Sequence, residues 1–183
     1  MITQSAKEGF DILLMQALRN SMVSSDDACD ISILPDSTDI HESRMVVLTV
    51  SSYLFRLMVM FYFTPDEQTK AHFARLNHVA RSDMDEQSFL DAIAECGNLC
   101  CGILNRDLGR FFPHIGMSTP NVIDRRCAEY LQMLNCGHVQ HFEIGIDQAP
   151  RFHVTLCVSD YAEIDFSVSE EEAGSSTGEL ELF

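Results

Sequence analysis

Residues 83–112 read DMDEQSFLDAIAECGNLCCGILNRDLGRFF, and the spacing of the apolar residues in this stretch decides how the rest of the chain must be arranged around it. At about 3.6 residues per turn it is long enough for a helix of roughly eight turns. It is entered through acidic residues that suit the positive end of a helix dipole. On a wheel of about 100° per residue, Phe89, Ile93, Cys96, Cys100, Ile103, Leu104 and Phe111 fall on one arc, which is the expected buried face. Asp91, Glu95, Asn98, Gly102, Asn105 and Arg106 fall on the other side. Glu95 and Asn98 lie one turn and about 60° apart, so a carboxylate and a primary amide point the same way. Gly102 follows one turn later and supplies no side chain, which lets another backbone or a partner protein come close. Spacing by itself reads the pair as solvated residues of an ordinary amphipathic helix. A mid-helix asparagine, a mediocre helix former, is the weak signal that sets the position apart.

The composition narrows the class. A chain of 183 residues with 46% hydrophobic content is long enough to bury a real core as one domain. Twenty-eight acidic residues against twelve basic ones give a formal charge of -16. That charge argues against nucleic acid or an anionic membrane as a partner and favours a partner with a basic patch. The longest apolar run, near Leu57 to Phe61, falls far short of the ~20 residues of a membrane span. The first residues show no basic, apolar and small-residue leader pattern, so a cytoplasmic location is expected. Seven cysteines with no C-x-x-C pair suggest neither a disulfide framework nor a ribbon-type zinc site. Cys96 and Cys100 are expected to serve as small core hydrophobes.

Taken in order, Thr3 to Val23 predicts a first helix, with Phe10, Leu13, Leu14, Ala17, Leu18 and Met22 along one face and Thr3 or Ser5 as its cap. Ile31 to Leu34 reads as a short strand ended by Pro35. Arg44 to Val50 and Tyr53 to Thr64, rich in Val, Leu, Met, Tyr and Phe, read as a hairpin. Thr64 is the expected cap of a helix starting at Pro65, with Phe73 and Leu76 as its apolar contacts. Beyond Phe112, Pro113, Gly116 and Pro120 predict turns. Asp124 to Leu134 reads as a short helix with Cys127, Tyr130, Leu131 and Leu134 on one side. Phe142, Ile144 and Ile146, then Phe152, Val154, Leu156 and Val158, alternate with polar or small residues and predict two antiparallel strands. Tyr161 to Val168 is a candidate third strand. Residues 1–168 then form a single domain, and residues 169–183, SEEEAGSSTGELELF, an acidic, disordered tail. Hairpins before and after a central helix point to an α+β fold, an antiparallel sheet covered by two or more long helices.

The residues DAIAECGNLCCGILNRDLGRFFPHIGMSTPNVI resemble the helix signature of the CheX, CheC and FliY family of chemotaxis phosphatases. That signature is Glu-x-x-Asn on an exposed long helix, a glycine or small residue one turn later, and a Thr-Pro segment some twenty residues on. Glu95 and Asn98 match its Glu and Asn, Gly102 its glycine, and Thr119 and Pro120 the later segment. The likeness covers roughly Arg44 to Ile123, and the single Glu-x-x-Asn is as in CheX, where CheC-like proteins usually have two. The chain departs from its relatives at Cys100 and Cys101 and in the extra segment after Pro120. The resemblance implies a CheX/CheC-like sheet and helices, and removal of the phosphoryl group from the aspartyl phosphate of a CheY-like receiver domain in chemotaxis or two-component signalling. It implies that Asn98 orients the attacking water and Glu95 pairs with a lysine of the receiver. Such a step is accelerated mainly by positioning and charge. Asp91, Gly102, Asn105 and Pro120 would border the docked receiver. The resemblance further implies no cofactor in this chain, the Mg2+ belonging to the receiver, and leaves open a homodimer formed by strand exchange. The alternative is a receiver-binding module on the same fold that does not hydrolyse.

Other constellations carry less. Cys136, His138, His141, His153 and Cys157 crowd the last two strands, but their spacing matches no standard zinc site and their strand parity is mixed. The terminal ELELF is similar to the Gln-Leu-x-Leu-Phe peptide that binds the bacterial sliding clamp, with Glu179 where that peptide has glutamine. A match of five residues in an acidic tail arises easily by chance. A cysteine-histidine dyad would require an electropositive, accessible thiol, against the acidic composition and the buried-arc cysteines.

Overall fold

A computed structural model describes residues 1–24, 27–147 and 149–169. The acidic segment beyond Ser169, with its terminal ELELF, lies outside the described residues. Helix α1 spans Gln4–Met22 and is capped as expected, Ala6 N–H donating to Thr3 Oγ1 at 3.2 Å. Strand β1 (Cys29–Leu34) is followed by the hairpin of β2 (Arg44–Ser51) and β3 (Phe55–Phe63). Helix α2 covers Glu67–Leu76 and helix α3 covers Glu86–Leu108. Two short strands, β4 (Gly116–Met117) and β5 (Asn121–Asp124), precede a 3₁₀ segment, Arg125–Leu134. The long strands β6 (His138–Ile146) and β7 (Phe152–Asp160) complete the fold.

All seven strands form one sheet in the order β1-β6-β7-β3-β2-β4, with β5 also pairing β2, and every pair is antiparallel. The alternation of each strand sorts its side chains between two faces. Val46, Leu48 and Val50 of β2, Leu57, Val59 and Phe61 of β3, and Val154, Leu156 and Val158 of β7 face the helices and make the main core with Phe10, Phe73, Phe89 and Leu104. The opposite face holds a second cluster of Ile40, Met45, Met60, Tyr62 and Cys157, roofed by Ala128 and Leu131 of the 3₁₀ segment. This roof explains why β7 is buried on both sides.

Several expectations are corrected. The cap of α2 is Asp66 rather than Thr64, its carboxylate accepting from Thr69 N–H at 2.8 Å. Helix α3 stops at Leu108, and Phe112 turns back into an aromatic group with Phe10 and Phe55, at ring distances of 6.4 and 5.0 Å. Residues 116–124, expected as turns, hydrogen-bond along β2 as β4 and β5 and are interrupted at Thr119 and Pro120. The segment Arg125–Leu134 has the three-residue period of a 3₁₀ helix. Arg125, Ala128, Leu131 and Leu134 therefore face inward, while Cys127 and Tyr130 are exposed. Tyr161 to Val168 is not a strand: both neighbours of β7 are already in place, so the chain crosses to α1, where Ile164 bridges Ile2 and Phe166 packs on Phe10 at 5.0 Å.

Candidate functional site

Helix α3 starts where Asp85 accepts from Ser88 N–H at 2.7 Å, satisfying one of the orphan donors of a helix start. Those bonds favour the ionised carboxylate and hold Asp85 below the usual aspartate range. The helix lies tightly on β2. A Cβ on Gly97 would stand 2.9 Å from Leu48 Cδ1, so this buried glycine permits the close approach. Cys96 faces α1 and its thiol donates to the Ser21 carbonyl at 3.4 Å. With α1 on one side and β4 and β5 along the other, the remaining stripe of α3 faces outward.

That stripe carries the expected pair. Glu95 is exposed and Asn98 half-buried, and Asn98 Nδ2 donates to Glu95 Oε2 at 3.5 Å. The bond is at the long limit for N–H···O, so it orients the amide loosely and leaves both groups free to exchange partners. Asp91, one turn earlier, is exposed and accepts from Gln87 Nε2 at 2.8 Å. Gly102 has nothing within 4 Å of the position its Cβ would take, so the stripe has a notch one turn past Asn98. Asn105 is half-buried, and its Oδ1 is out of solvent with no hydrogen-bond partner. Pro120 lies between β4 and β5, the two strands that border α3. The five α3 positions thus share one face, with the Thr-Pro segment on the sheet edge beside it. Leu99, exposed within this stripe, was missed by the wheel because it fits neither the apolar arc nor a list of polar groups. Its being out of phase was the signal.

The thiols of the helix are chemically quiet. Burial pushes Cys96 and Cys101 up to about 12 and Cys100 well above the ordinary thiol range, so all three stay protonated and no thiolate nucleophile arises here. The histidines of the C-terminal strands have partners inside the protein. His138 Nε2 lies 2.7 Å from Asp11 Oδ1, His141 Nδ1 2.7 Å from Thr155 Oγ1, and His153 Nδ1 2.6 Å from Glu42 Oε1. Among the described residues no group of three or more His, Cys, Asp or Glu is placed to hold a metal ion, and no helix is long and apolar enough to cross a membrane.

The shape of the site limits what it can do. Hollows of about 430 and 450 Å³ lie beside Asp30 and Arg151 and under the 3₁₀ segment, and neither is lined by Glu95 or Asn98. The pair sits on the outward-facing stripe of α3 and lines neither hollow, whereas small molecules are held in concave, largely apolar sites. A helix face bearing a carboxylate, an amide and a glycine without a side chain suits contact with another protein.

Comparison with known proteins gives the same fold. No family model matches the sequence, and no curated protein does. Solved structures are similar to the chain over most of its length. CheX from Vibrio vulnificus matches with a TM-score of 0.61 and 13% identity, covering 81% of this chain and 98% of that one. A CheC-like superfamily protein from Shewanella sp. PV-4 matches with a TM-score of 0.58 and 12% identity, over 82% and 97% of the two chains. The CheX-CheY-BeF3-Mg2+ complex from Borrelia burgdorferi matches with a TM-score of 0.57 and 14% identity, over 84% and 97%. The α+β sheet and helices of this chain are those of the CheX/CheC fold.

Proposed function

We propose that this protein hydrolyses the aspartyl phosphate of a CheY-type receiver domain, with Asn98 orienting the attacking water and Glu95 anchoring the receiver. The observation that carries this is the placement of Glu95 and Asn98 one turn apart on an outward-facing stripe of α3, in a fold shared with a CheX solved in complex with CheY. A phosphoryl group in transfer requires an in-line water and compensation of its charge. A side-chain amide supplies both a donor and an acceptor with which to hold that water. The exchangeable contact between Asn98 and Glu95 gives each group a resting partner until the receiver arrives. Glu95 then meets a cation at the rim of the receiver, consistent with a chain of formal charge -16 meeting a basic surface. Mg2+ and the phosphorylated aspartate both belong to the receiver, so no cofactor is assigned to this chain.

The test is the decay of a phosphorylated CheY-type receiver from the same cell with and without the protein. Wild type is expected to accelerate decay. Asn98→Ala loses this by on the order of 10²-fold or more, and Glu95→Ala raises the concentration required. Binding without any acceleration, across several receivers, would replace the phosphatase by a non-hydrolysing receiver-binding module.

A further inference from the structure

Leu99 is 50% exposed, and no other large apolar side chain of α3 is exposed. A single exposed leucine on a protein surface is ordinary. Its position here is what matters. At ~1.5 Å of rise and ~100° per residue, Leu99 stands about 6 Å beyond Glu95 along the axis, within about 40° of it, and within about 60° of Gly102. It therefore stands on the same outward stripe as Gly102, around whose Cβ position nothing comes within 4 Å. A globular partner of standard interface size covers about 800 Å² per side, a patch far wider than these spacings. Any partner that engages Glu95 and Asn98 must cover Leu99 as well.

We infer that Leu99 is the apolar docking contact of the receiver, seated in an uncharged patch beside the receiver's cationic rim. This rests on the receiver-phosphatase reading above. The charge along the stripe supports the occupant. Asp91 and Glu95 are exposed on the N-terminal side of Leu99, and the next exposed charge of the stripe on the C-terminal side is Arg106, held to Asp107 at 3.0 Å. The partner surface thus has basic groups on one side of an apolar patch. Once the partner closes over it, Leu99 is desolvated next to the Glu95 ion pair, and an apolar anchor at the centre of an interface is where truncation costs most. Exposed carboxylates alone would attract many basic proteins. A leucine beside the reacting pair adds a steric and apolar requirement that selects among them.

The experiment measures two quantities on the full chain: the Kd for a CheY-type receiver loaded with BeF3 and Mg2+, and the kcat and KM for decay of the phosphorylated receiver. Leu99→Ala is expected to raise Kd and KM together, roughly tenfold, with kcat unchanged, and Leu99→Asp to raise them further. Alanine is the stronger helix former, so the fold is retained, as far-UV circular dichroism will show. Ile33→Ala, on β1 at the opposite edge of the sheet and likewise exposed, leaves both constants unchanged. Unchanged Kd and KM in both Leu99 variants, while Glu95→Ala weakens binding, overturns the inference and leaves the phosphatase standing. A fall in kcat at constant KM also overturns it, since that is a role in chemistry rather than docking. Failure of the wild type to bind any loaded receiver overturns both.

Discussion

On the proposed reading turnover depends on Asn98, and its neighbour makes a sharp substitution available. Asn98→Asp preserves size and shape, removes the Nδ2 donor and places a second carboxylate where Nδ2 now lies 3.5 Å from Glu95 Oε2. Two carboxylates that close disfavour one another's ionised forms, and both repel an incoming phosphoryl group. The expected result is a kcat lowered on the order of 10²- to 10³-fold, with weaker receiver binding. Glu95→Gln keeps shape and loses charge, so it should raise KM while kcat at saturation largely survives. Full kcat in Asn98→Asp would mean that the amide does not hold the water. The polar members of this site were legible in the sequence because a helix of constant pitch places Asp91, Glu95, Asn98, Gly102 and Asn105 on one side by arithmetic alone. Leu99 was not, because its role comes from what stands beside it in space.

The helix α3 separates two glycines with opposite demands. Gly97 faces β2, where an added Cβ would meet Leu48 Cδ1 at 2.9 Å, whereas Gly102 faces open space. Gly97→Val should therefore destabilise the protein by about 2 kcal/mol through overpacking. Gly102→Ala should stabilise it by about 0.5–1 kcal/mol through helix propensity alone. Urea denaturation with unchanged m-values reads both, and equal shifts at the two positions would contradict the packing of α3 on β2. Gly102→Trp should leave the fold intact and fill the notch, abolishing acceleration of receiver decay. The long elements were legible because their periodicities are strong, and the hairpin of β2 and β3 and the pairing of β6 with β7 follow from alternation. The short strands β4 and β5 were not. Six residues split by Pro120 carry no period, and they are strands because the backbone of β2 offers them partners. Conversely, residues 161–168 had the composition of a strand and lacked a free edge beside β7.

Across the whole molecule, the histidines give stability a dependence on pH that can be worked out group by group. His153 lies on the outer face of the sheet with Nδ1 2.6 Å from Glu42 Oε1 and Nε2 3.6 Å from Glu143 Oε2. It ties the loop before β2 to β6 and β7. The hydrogen bond to Glu42 raises its pKa above the ordinary value, against the opposing effect of burial. A raised folded value means that its contribution is fully present below the unfolded histidine pKa of about 6.5 and is lost as pH rises through the folded value. His72 has the opposite sign. Burial lowers its pKa, with the nearby Arg75 adding to the effect, and its Nδ1 is buried without a partner while Nε2 bonds the Met22 carbonyl at 3.1 Å. Its contribution is therefore present above about 6.5 and lost as pH falls through the folded value. His141, also lowered by burial, acts in the same direction. The carboxylates held below their usual range, Asp85 and Asp124 among them, lose their contributions only in more acidic solution. From pH 5.5 to 8.5, then, the melting temperature should pass through a maximum bounded by these histidines. In His153→Gln the decline on the alkaline side should flatten while the acidic side is kept, and in His72→Gln the reverse. A constant offset between wild type and His153→Gln across the whole range would show that the Glu42 contact is not charge-assisted in the folded protein.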